Sequence, residues 1–420
     1  MFDLDQWQEV FNTLLSNKLR TFLTALGVSW GIFMLIIMMG AGNGLETGAM
    51  AEFRGSATNS VFIWTQRTTV PYRGLQAGRF FSMKNADYEA FKELLPDAKH
   101  IAPRNQLGGF RGGNNVIRGD KTGAFQVMGD YPQIQHIEGI FVDEGRFLNM
   151  KDITDYRKIC VIGERVAELM FEERENPIGE FIQINGINFM VVGLFSTKKS
   201  GNDAERDTQR IFIPFSTFQR SFNYGNTLSW FALTSKDEVP ASQMEAKALR
   251  ILKSRHLIAP EDERAFGHFN LEEEFGEIQQ VFSGIDFISW VVALLTLFAG
   301  AVGITNIMLV IVKERTKEIG IRRALGAKPW KIISQIMLES VFLTFMAGYA
   351  GLMIGMGLIE GAGFLMRTFE LDLGMFQAPF VDVSLVIISL AVLIFAGLLA
   401  GLIPASRAVR IRPVEALRAD

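Results

Sequence analysis

Four long apolar runs, each free of charged residues, dominate the alternation of hydrophobic and polar positions along the chain. Each run is long enough for a helix to cross the ~30 Å hydrocarbon core of a bilayer. The pattern therefore predicts transmembrane helices at 21–43, about 285–312, about 332–359 and about 383–406. The first run exceeds the apolar core of a signal peptide, so we expect an uncleaved span that follows an amphipathic interfacial helix at 1–20.

The segment 44–283, between the first two spans, has mixed polarity and short β runs. We expect strands at 60–65, 158–163, 181–184, 187–195 and 210–213, and helices at 85–95, 164–171 and 242–253. Asn185-Gly186, between two of the β runs, is a strong hairpin signal. The order of elements indicates an α+β domain rather than a regular alternation. The expected fold is an α-helical membrane protein with four transmembrane helices and a large α+β extracytoplasmic domain inserted between helices 1 and 2.

Charge decides the orientation of these spans. The loop 313–331 carries seven basic residues and two acids. At roughly 2.5–3.5 kcal/mol per Lys or Arg at the bilayer centre it must leave the membrane, and its positive excess predicts the cytoplasmic side. The loop 360–382 has four acids against one basic residue, whereas the tail after Ser406 has four arginines. Both termini are therefore expected in the cytoplasm and the large domain outside it.

Composition narrows the classes of function. The net charge is −3 and the basic residues form no stripe interleaved with aromatics, which argues against a nucleic-acid partner. The single cysteine, Cys160, excludes an intrachain disulfide and is expected to be a small buried residue. No P-loop motif and no HExxH motif occur. We expect no catalytic site, metal site or cofactor on this chain.

Small residues recur at four-residue intervals in the spans. Gly27 to Gly31 matches the G-x-S-x-G of serine hydrolases, but that motif needs a strand-turn-helix elbow, and here it lies in a uniformly apolar helix. We interpret it as a GxxxG pair that lets another helix approach closely. The residues predicted to serve helix packing are Gly27, Gly31, Gly351, Gly355, Gly397 and Gly401.

Glu339 is an ionisable residue at the cytoplasmic end of the third span, eight residues beyond Lys331. An ionisable side chain at such a depth is a functional candidate. The alternative is that it reaches interfacial water or pairs with a basic residue of the loop. The sequence leaves both interpretations open.

Several motifs, in order, resemble a known family. ADYEAFKELLPDAKHIAPR, GRFLNMKDITDYRKICVIGERVAELMFEERENPIGEFIQINGINFMVVGLF and IFIPFSTFQRSF resemble the periplasmic core domain of MacB-type transporter permeases. KERTKEIGIRRALGAKPWKI and PASRAVRIRPVEALR resemble the loop and the C-terminal signature of the FtsX-like membrane domain, here 284–420. The resemblance implies an outer domain of two lobes, one at about 44–120 and 210–275, the other inserted at about 121–209.

The resemblance also implies a function and a set of partners. It implies the permease subunit of an ABC transporter in the inner membrane, with ATP and Mg bound by a separate cytosolic ATPase. Members of the family work as dimers, here with a second copy or a paralogue. Three functions stay open: efflux of a drug, peptide or toxin with a periplasmic adaptor and an outer-membrane channel, release of lipoproteins, and control of a cell-wall hydrolase. The size of the outer domain and the MacB-like motifs favour efflux.

The loop between the second and third spans is the predicted coupling site. We expect 313–323 to form a helix that docks on the ATPase; the alternative is a loop that only anchors the topology. The expected polar contacts come from Glu314, Arg315, Lys317, Glu318, Arg322 and Arg323, and the apolar anchor from Ile319, Ile321, Ala324 and Leu325, with Lys313 and Gly320 completing the site.

Overall fold

The computed structural model describes residues 18–51, 53–108, 113–172, 175–199, 201–369, 371, 373 and 376–411. The helix predicted at 1–20 lies outside this part of the chain, except for its last three residues. The chain divides into two units. One, called the membrane unit below, comprises Met1–Ala49 and Gln280–Asp420, and the other, called the outer unit, is Met50–Gln279.

The described helices and strands are numbered in chain order. The helices are α1 (Lys18–Ala51), α2 (Asn85–Leu94), α3 (Ile134–Ile137), α4 (Met150–Thr154), α5 (Glu164–Met170), α6 (Gly201–Thr208), α7 (Phe215–Ser221), α8 (Ala241–Arg255), α9 (Leu271–Glu314), α10 (Thr316–Ala324), α11 (Pro329–Thr368) and α12 (Val383–Val409). The strands are β1 (Ser60–Thr65), β2 (Met83–Lys84), β3 (Ala98–Gln106), β4 (Asn114–Arg118), β5 (Lys121–Asp130), β6 (Phe141–Gly145), β7 (Ile159–Gly163), β8 (Phe181–Ile184), β9 (Ile187–Ser196), β10 (Arg210–Pro214), β11 (Thr227–Leu228), β12 (Trp230–Ser235) and β13 (Phe266–Asn270).

Four of these helices are long and apolar enough to cross a membrane: α1, α9, α11 and α12. The prediction of four apolar helices is confirmed. The helices α9 and α11 have 44 and 40 residues, so both extend well beyond the apolar runs that define the predicted spans. At 1.5 Å per residue, α9 is roughly 66 Å long.

Close helix contacts hold the membrane unit together, and the six glycines of the packing prediction lie at them. A Cβ added at Gly351 would lie 2.1 Å from the Ser29 carbonyl oxygen, and one at Gly397 would lie 2.8 Å from the Val341 Cα. An added Cβ would come within 2.9–3.0 Å of a neighbouring helix at Gly31, Gly355 and Gly401, and within 3.8 Å at Gly27. Backbones that approach this closely are typical of small-residue interfaces between membrane helices.

Six strands of the outer unit form a closed ring of pairings, in the order β4, β5, β10, β7, β9, β8 and back to β4. The pairs β5–β10 and β7–β9 are parallel, and the other four are antiparallel. Alternate residues of these strands, such as Ile211 with Ile213, belong to one buried apolar cluster. Because side chains alternate between the faces of a strand, this cluster fills the interior of a small barrel. Cys160 is buried in it, as predicted, and burial raises the pKa of its thiol.

A second group of strands continues the sheet in the order β5, β3, β12, β1, β13. The helices α2 and α8 pack against the four strands β3, β12, β1 and β13 around a second apolar cluster that contains Phe91, Phe231 and Met244. The barrel strands fall between Asn114 and Pro214, so the predicted inserted lobe at 121–209 lies within the barrel segment.

Local signals in the sequence correspond to elements of the outer unit. The strand predicted at 60–65 is confirmed as β1, and the helix predicted at 85–95 ends one residue earlier, at Leu94. The hairpin turn is confirmed too: β8 pairs with β9 through Asn185 and Gly186, whose φ angles are 46° and 83°. Two residues with positive φ are what a tight two-residue hairpin requires.

Candidate functional site

The candidate site is the short helix α10, which joins two of the apolar helices. It follows α9 after a single residue, Arg315, whose backbone (φ −91°, ψ 14°) departs from the helix. It ends before Gly326, which has a φ of 89°. Glycine adopts this left-handed conformation without a Cβ penalty, which is why it so often follows a helix. Pro329 then stands at the first turn of α11, where its missing N–H costs nothing.

A chain of charged and amide side chains fixes α10 to α11. Arg315 donates to Glu339 (Nη1–Oε1 3.1 Å) and to Glu318 (Nε–Oε2 3.0 Å). Arg322 contacts Glu318 (Nη2–Oε1 2.7 Å) and donates to Gln335 (Nη1–Oε1 3.0 Å), which in turn donates to Glu339 (Nε2–Oε1 3.3 Å). The side chains of Arg315 and Glu339 are only 14% and 7% exposed, so this pair is shielded from water.

Arg323 connects α10 to the end of α12. Its guanidinium donates to the carbonyl oxygens of Val409 and of Ile411, the latter at 2.7 Å. The last carbonyls of a helix have no partner within the helix, so an arginine that binds the Val409 carbonyl caps α12 and ties it to α10. The Ile411 carbonyl, two residues beyond the helix, adds a second contact. The short helix is thereby bound to three of the four long helices. It is covalently continuous with α9, it contacts α11 through the Arg315–Glu339 and Arg322–Gln335 pairs, and it contacts α12 through Arg323.

The apolar residues of the predicted site face in two directions. Ile319 and Gly320 are buried, and Ile319 belongs to the apolar core of the membrane unit. Ile321 is 42% exposed and Leu325 is 83% exposed, and Ala324 is exposed as well. Ile319 therefore seats α10 on the membrane unit, and the surface that is free for a partner consists of Ile321, Ala324 and Leu325.

The polar residues of the predicted site divide in the same way. Arg315, Glu318, Arg322 and Arg323 make the contacts described above within the membrane unit. Lys313, Glu314 and Lys317 are exposed, with Lys313 and Glu314 in the last turn of α9 rather than in α10. Together with the exposed Lys328 and Lys331, they place an excess of positive charge around the exposed apolar residues.

Glu339 has its partner inside the site. Its carboxylate meets Arg315, a basic residue of the loop, which is the arrangement considered as the alternative to a role of its own. The pair places the ionisable group at the membrane boundary without isolating a charge in hydrocarbon. Glu339 thus acts as an anchor point for the short helix.

Sequence reasoning missed two residues of the site. Trp330 is 73% exposed beside the loop, and Gln335 bridges Arg322 and Glu339. A tryptophan directly after Lys328-Pro329 at a predicted membrane boundary is a usable signal, because Trp is enriched at membrane interfaces and at protein contacts. Gln335 lies four residues before Glu339, one helical turn away. Its second contact, across helices, had no such signal.

The side chains at this surface are characterised by their exposure and charge. Within the described ranges, no group of three or more His, Cys, Asp or Glu residues is placed to hold a metal ion. What the site offers is an exposed apolar centre, Leu325 with Ile321 and Trp330, surrounded mainly by lysines. Its complement is a groove with an apolar floor and an acidic rim.

Comparisons with known proteins cover almost the whole chain. Residues 21–251 match the family described as the MacB-like periplasmic core domain, and residues 290–413 match the FtsX-like permease C-terminal family. The pyoverdine export ATP-binding/permease protein PvdT of Pseudomonas entomophila is 28% identical over 421 residues, covering 99% of this chain and 60% of that protein. The macrolide export ATP-binding/permease protein MacB of Bdellovibrio bacteriovorus is 26% identical over 416 residues, covering 99% and 62%. The chain thus spans about 60% of the length of these relatives.

Two solved structures of related regions each cover about half of the chain. The periplasmic region of MacB from Actinobacillus actinomycetemcomitans covers 54% of this chain and 95% of that structure, with 19% identity and a TM-score of 0.43. The extracellular domain of the transporter YknZ from Gram-positive bacteria covers 50% and 100%, with 16% identity and a TM-score of 0.41.

Proposed function

Because the chain belongs to the MacB-like and FtsX-like family of ABC-transporter permeases, we propose that it transmits the ATP-driven motion of a separate cytosolic ATPase to an outer domain. In this proposal ATP and Mg are bound by the ATPase. The permease works as a dimer in the inner membrane, with its termini and α10 in the cytoplasm and the outer unit, inserted between the first two spans, in the periplasm. The excess of basic residues in the loop 313–331 supports this orientation.

The transport task that fits best is efflux from the periplasm. The relatives that match nearly all of this chain are named for the export of pyoverdine and of macrolides. We therefore propose that the chain serves export of a drug, peptide or toxin, together with a periplasmic adaptor and an outer-membrane channel. The substrate is expected to be handled by the outer unit, because the groove between α9 and α12 of the membrane unit is lined mainly by apolar side chains.

The observation that carries the coupling role is the division of α10 into a seated face and a free face. Ile319 and the arginine contacts bind the helix to the membrane unit, whereas Leu325, at 83% exposure, projects from it. A partner that buried Leu325 together with Ile321 would gain their apolar area, and a helix bound to three spans would pass on the displacement that this partner imposes. A loop that only anchored the topology would need its basic residues. It would need neither the arginine contacts with α11 and α12 nor the exposed apolar residues.

The test is a substitution on the exposed side of α10 that leaves Ile319 and the arginine contacts unchanged. Leu325→Ser is expected to weaken the complex with a co-expressed cytosolic ABC ATPase roughly 10- to 100-fold, because burying one leucine side chain contributes about 1.5–3 kcal/mol. The matched control is Leu338→Ser, which alters an exposed leucine of α11 outside the loop. Co-purification and permease-stimulated ATP hydrolysis are measured for both variants.

Two outcomes decide the matter. Loss of binding and of stimulation with Leu325→Ser, but not with Leu338→Ser, supports coupling. If Leu325→Ser inserts normally and binds and stimulates the ATPase as the unaltered chain does, α10 is only a topological anchor and the proposal fails. Export is tested in cells that produce the ATPase: accumulation of a macrolide should rise when Leu325→Ser replaces the unaltered chain.

A further inference from the structure

A groove of about 620 Å³ runs between α9 and α12 in the membrane unit. Its walls are apolar, with Phe298, Val302 and Leu309 on one side and Phe395 and Leu399 on the other. At its base Thr305 donates to the Ala400 carbonyl oxygen at 2.9 Å, which joins the two helices. The volume is in the range of ligand-binding pockets, ~300–1,000 Å³.

The length and position of the groove match one leaflet of a bilayer. The lining runs from Leu294 to Leu309 on α9 and from Val392 to Arg407 on α12, 15 residue steps on each helix. At 1.5 Å per residue this is roughly 22 Å, against ~15 Å for half of the ~30 Å hydrocarbon core. The groove therefore covers one leaflet and part of its headgroup zone. This is the leaflet on the side of α10, because α9 ends at Glu314 and α12 ends at Val409.

Besides Thr305, two polar side chains interrupt the apolar lining, and both are exposed: Asn306 and Arg407. Among the described residues, neither side chain has a hydrogen-bond or ion-pair partner. An amide that faces hydrocarbon without a partner is costly, since nothing in the bilayer core accepts its hydrogen bonds. Arg407 stands at the end of the groove that reaches the membrane surface. The two residues thus define a polar end on an otherwise apolar slot.

We propose that this groove binds an anionic glycerophospholipid from the leaflet on the α10 side. The phosphate lies at Arg407, the amide of Asn306 donates to the ester region, and an acyl chain lies along Phe298 and Phe395. Basic positions between transmembrane helices on the cytoplasmic side are where anionic headgroups bind. A second copy of the chain is the other candidate to cover the groove. In a two-fold symmetric dimer each groove would face its equivalent, whose lining contains no carboxylate to pair with Arg407.

The location of the bound lipid links it to the short helix. Arg407 is in the last turn of α12, and Arg323 of α10 holds the carbonyls of Val409 and Ile411 just beyond it. A lipid at Arg407 therefore fixes the end of α12 to which α10 is attached. This consequence rests on the proposed coupling role, whereas lipid binding depends only on the groove.

The test uses the full chain, purified in mild detergent and titrated with phosphatidylglycerol or phosphatidylcholine of identical acyl chains. Native mass spectrometry counts the lipids that stay bound and reports whether the chain is a monomer or a dimer. Arg407→Gln is expected to lower retention of phosphatidylglycerol about five-fold, the equivalent of ~1 kcal/mol for one basic residue near the surface. Ala396→Phe, which fills the groove, is expected to lower retention of both lipids.

Matched controls separate the groove from the rest of the surface. Arg410→Gln removes an arginine three residues beyond Arg407, and Ala391→Phe enlarges an exposed residue of α12; neither position lines the groove. Both should retain phosphatidylglycerol as the unaltered chain does.

Three outcomes would overturn the proposal. The first is equal retention of phosphatidylcholine and phosphatidylglycerol, and the second is equal retention by Arg407→Gln and Arg410→Gln. The third is conversion of a dimer to a monomer by Ala396→Phe without loss of lipid. The last result would assign the groove to a second copy. None of these outcomes bears on whether Leu325 binds the ATPase.

Discussion

The ion pair between Arg315 and Glu339 gives the sharpest test of how α10 is held. Glu339→Leu removes a carboxylate that is 7% exposed and accepts from Arg315 at 3.1 Å and from Gln335 at 3.3 Å. Removing one partner of a buried pair costs about 3–5 kcal/mol, because the remaining charge is left buried. Arg315 keeps its contact with the half-buried Glu318, so we expect the lower end, about 3 kcal/mol.

The assay is a double-mutant cycle on the purified full chain, with the apparent Tm followed by tryptophan fluorescence. At ~2–4 °C per kcal/mol for a unit of 150–250 residues, Glu339→Leu should lower the apparent Tm by roughly 6–12 °C. Arg315→Met should also destabilise the chain, whereas the double variant should recover to within ~1 kcal/mol of the unaltered chain, because no unpaired buried charge remains. The control Lys317→Met changes an exposed lysine of the same helix and should stay within ~0.5 kcal/mol.

Additivity would refute this reasoning. If the losses of Glu339→Leu and Arg315→Met sum to that of the double variant, the two side chains do not interact energetically, whatever their separation. The attachment of α10 would then depend on Arg323 and its two contacts with carbonyl oxygens. A loss in the Lys317→Met control as large as that of Arg315→Met would indicate a general effect of charge in the loop.

Two further predictions concern the packing of the membrane unit and the acid stability of the outer unit. Gly351→Ala should destabilise the chain by about 1–3 kcal/mol, since its Cβ would meet the Ser29 carbonyl oxygen, whereas Gly357→Ala, with open space around it, should leave the apparent Tm unchanged or raise it. Burial of Asp87 opposes its ionisation, but hydrogen bonds, above all from His256, outweigh this and lower its pKa from 3.8 to about 2. At pH values above the unfolded-state pKa, this lowered pKa contributes about 2 kcal/mol to the free energy of unfolding. The contribution is lost as the pH falls from about 4 to about 2. Asp87→Asn should flatten this part of the acid-unfolding curve, and an unchanged curve would contradict the assignment.

Local patterns in the sequence were sufficient for the elements whose stability is local. The apolar runs predicted the four long helices because a chain in a bilayer must bury its backbone groups in helices of a set length. The strand at 60–65 and the turn at Asn185-Gly186 follow from side-chain alternation and from the positive φ that the turn demands. The two lobes of the outer domain stay a prediction from the family resemblance.

Contacts between distant residues were beyond the sequence. No pattern shows that β10 pairs with β5 across 80 residues to close the barrel, because strand order depends on the packing of the whole unit. The candidate site shows the same limit. Ile319 and Ile321 are two positions apart on a short helix, and only the seat on the membrane unit decides that the first is buried and the second exposed. The partner of Glu339 is Arg315, 24 residues away at the junction between α9 and α10.

The three attachments of α10 have a mechanical consequence. A rigid body fixed at one point can rotate freely, and one fixed along a line can still roll, but three separate attachments remove both motions. The short helix is fixed at Arg315, at the Arg322–Gln335 contact with α11 and at Arg323. If α10 receives force from an ATPase as proposed, these attachments would resist its tilting and rolling. A load on Leu325 would then displace α9, α11 and α12 together rather than bend the loop locally.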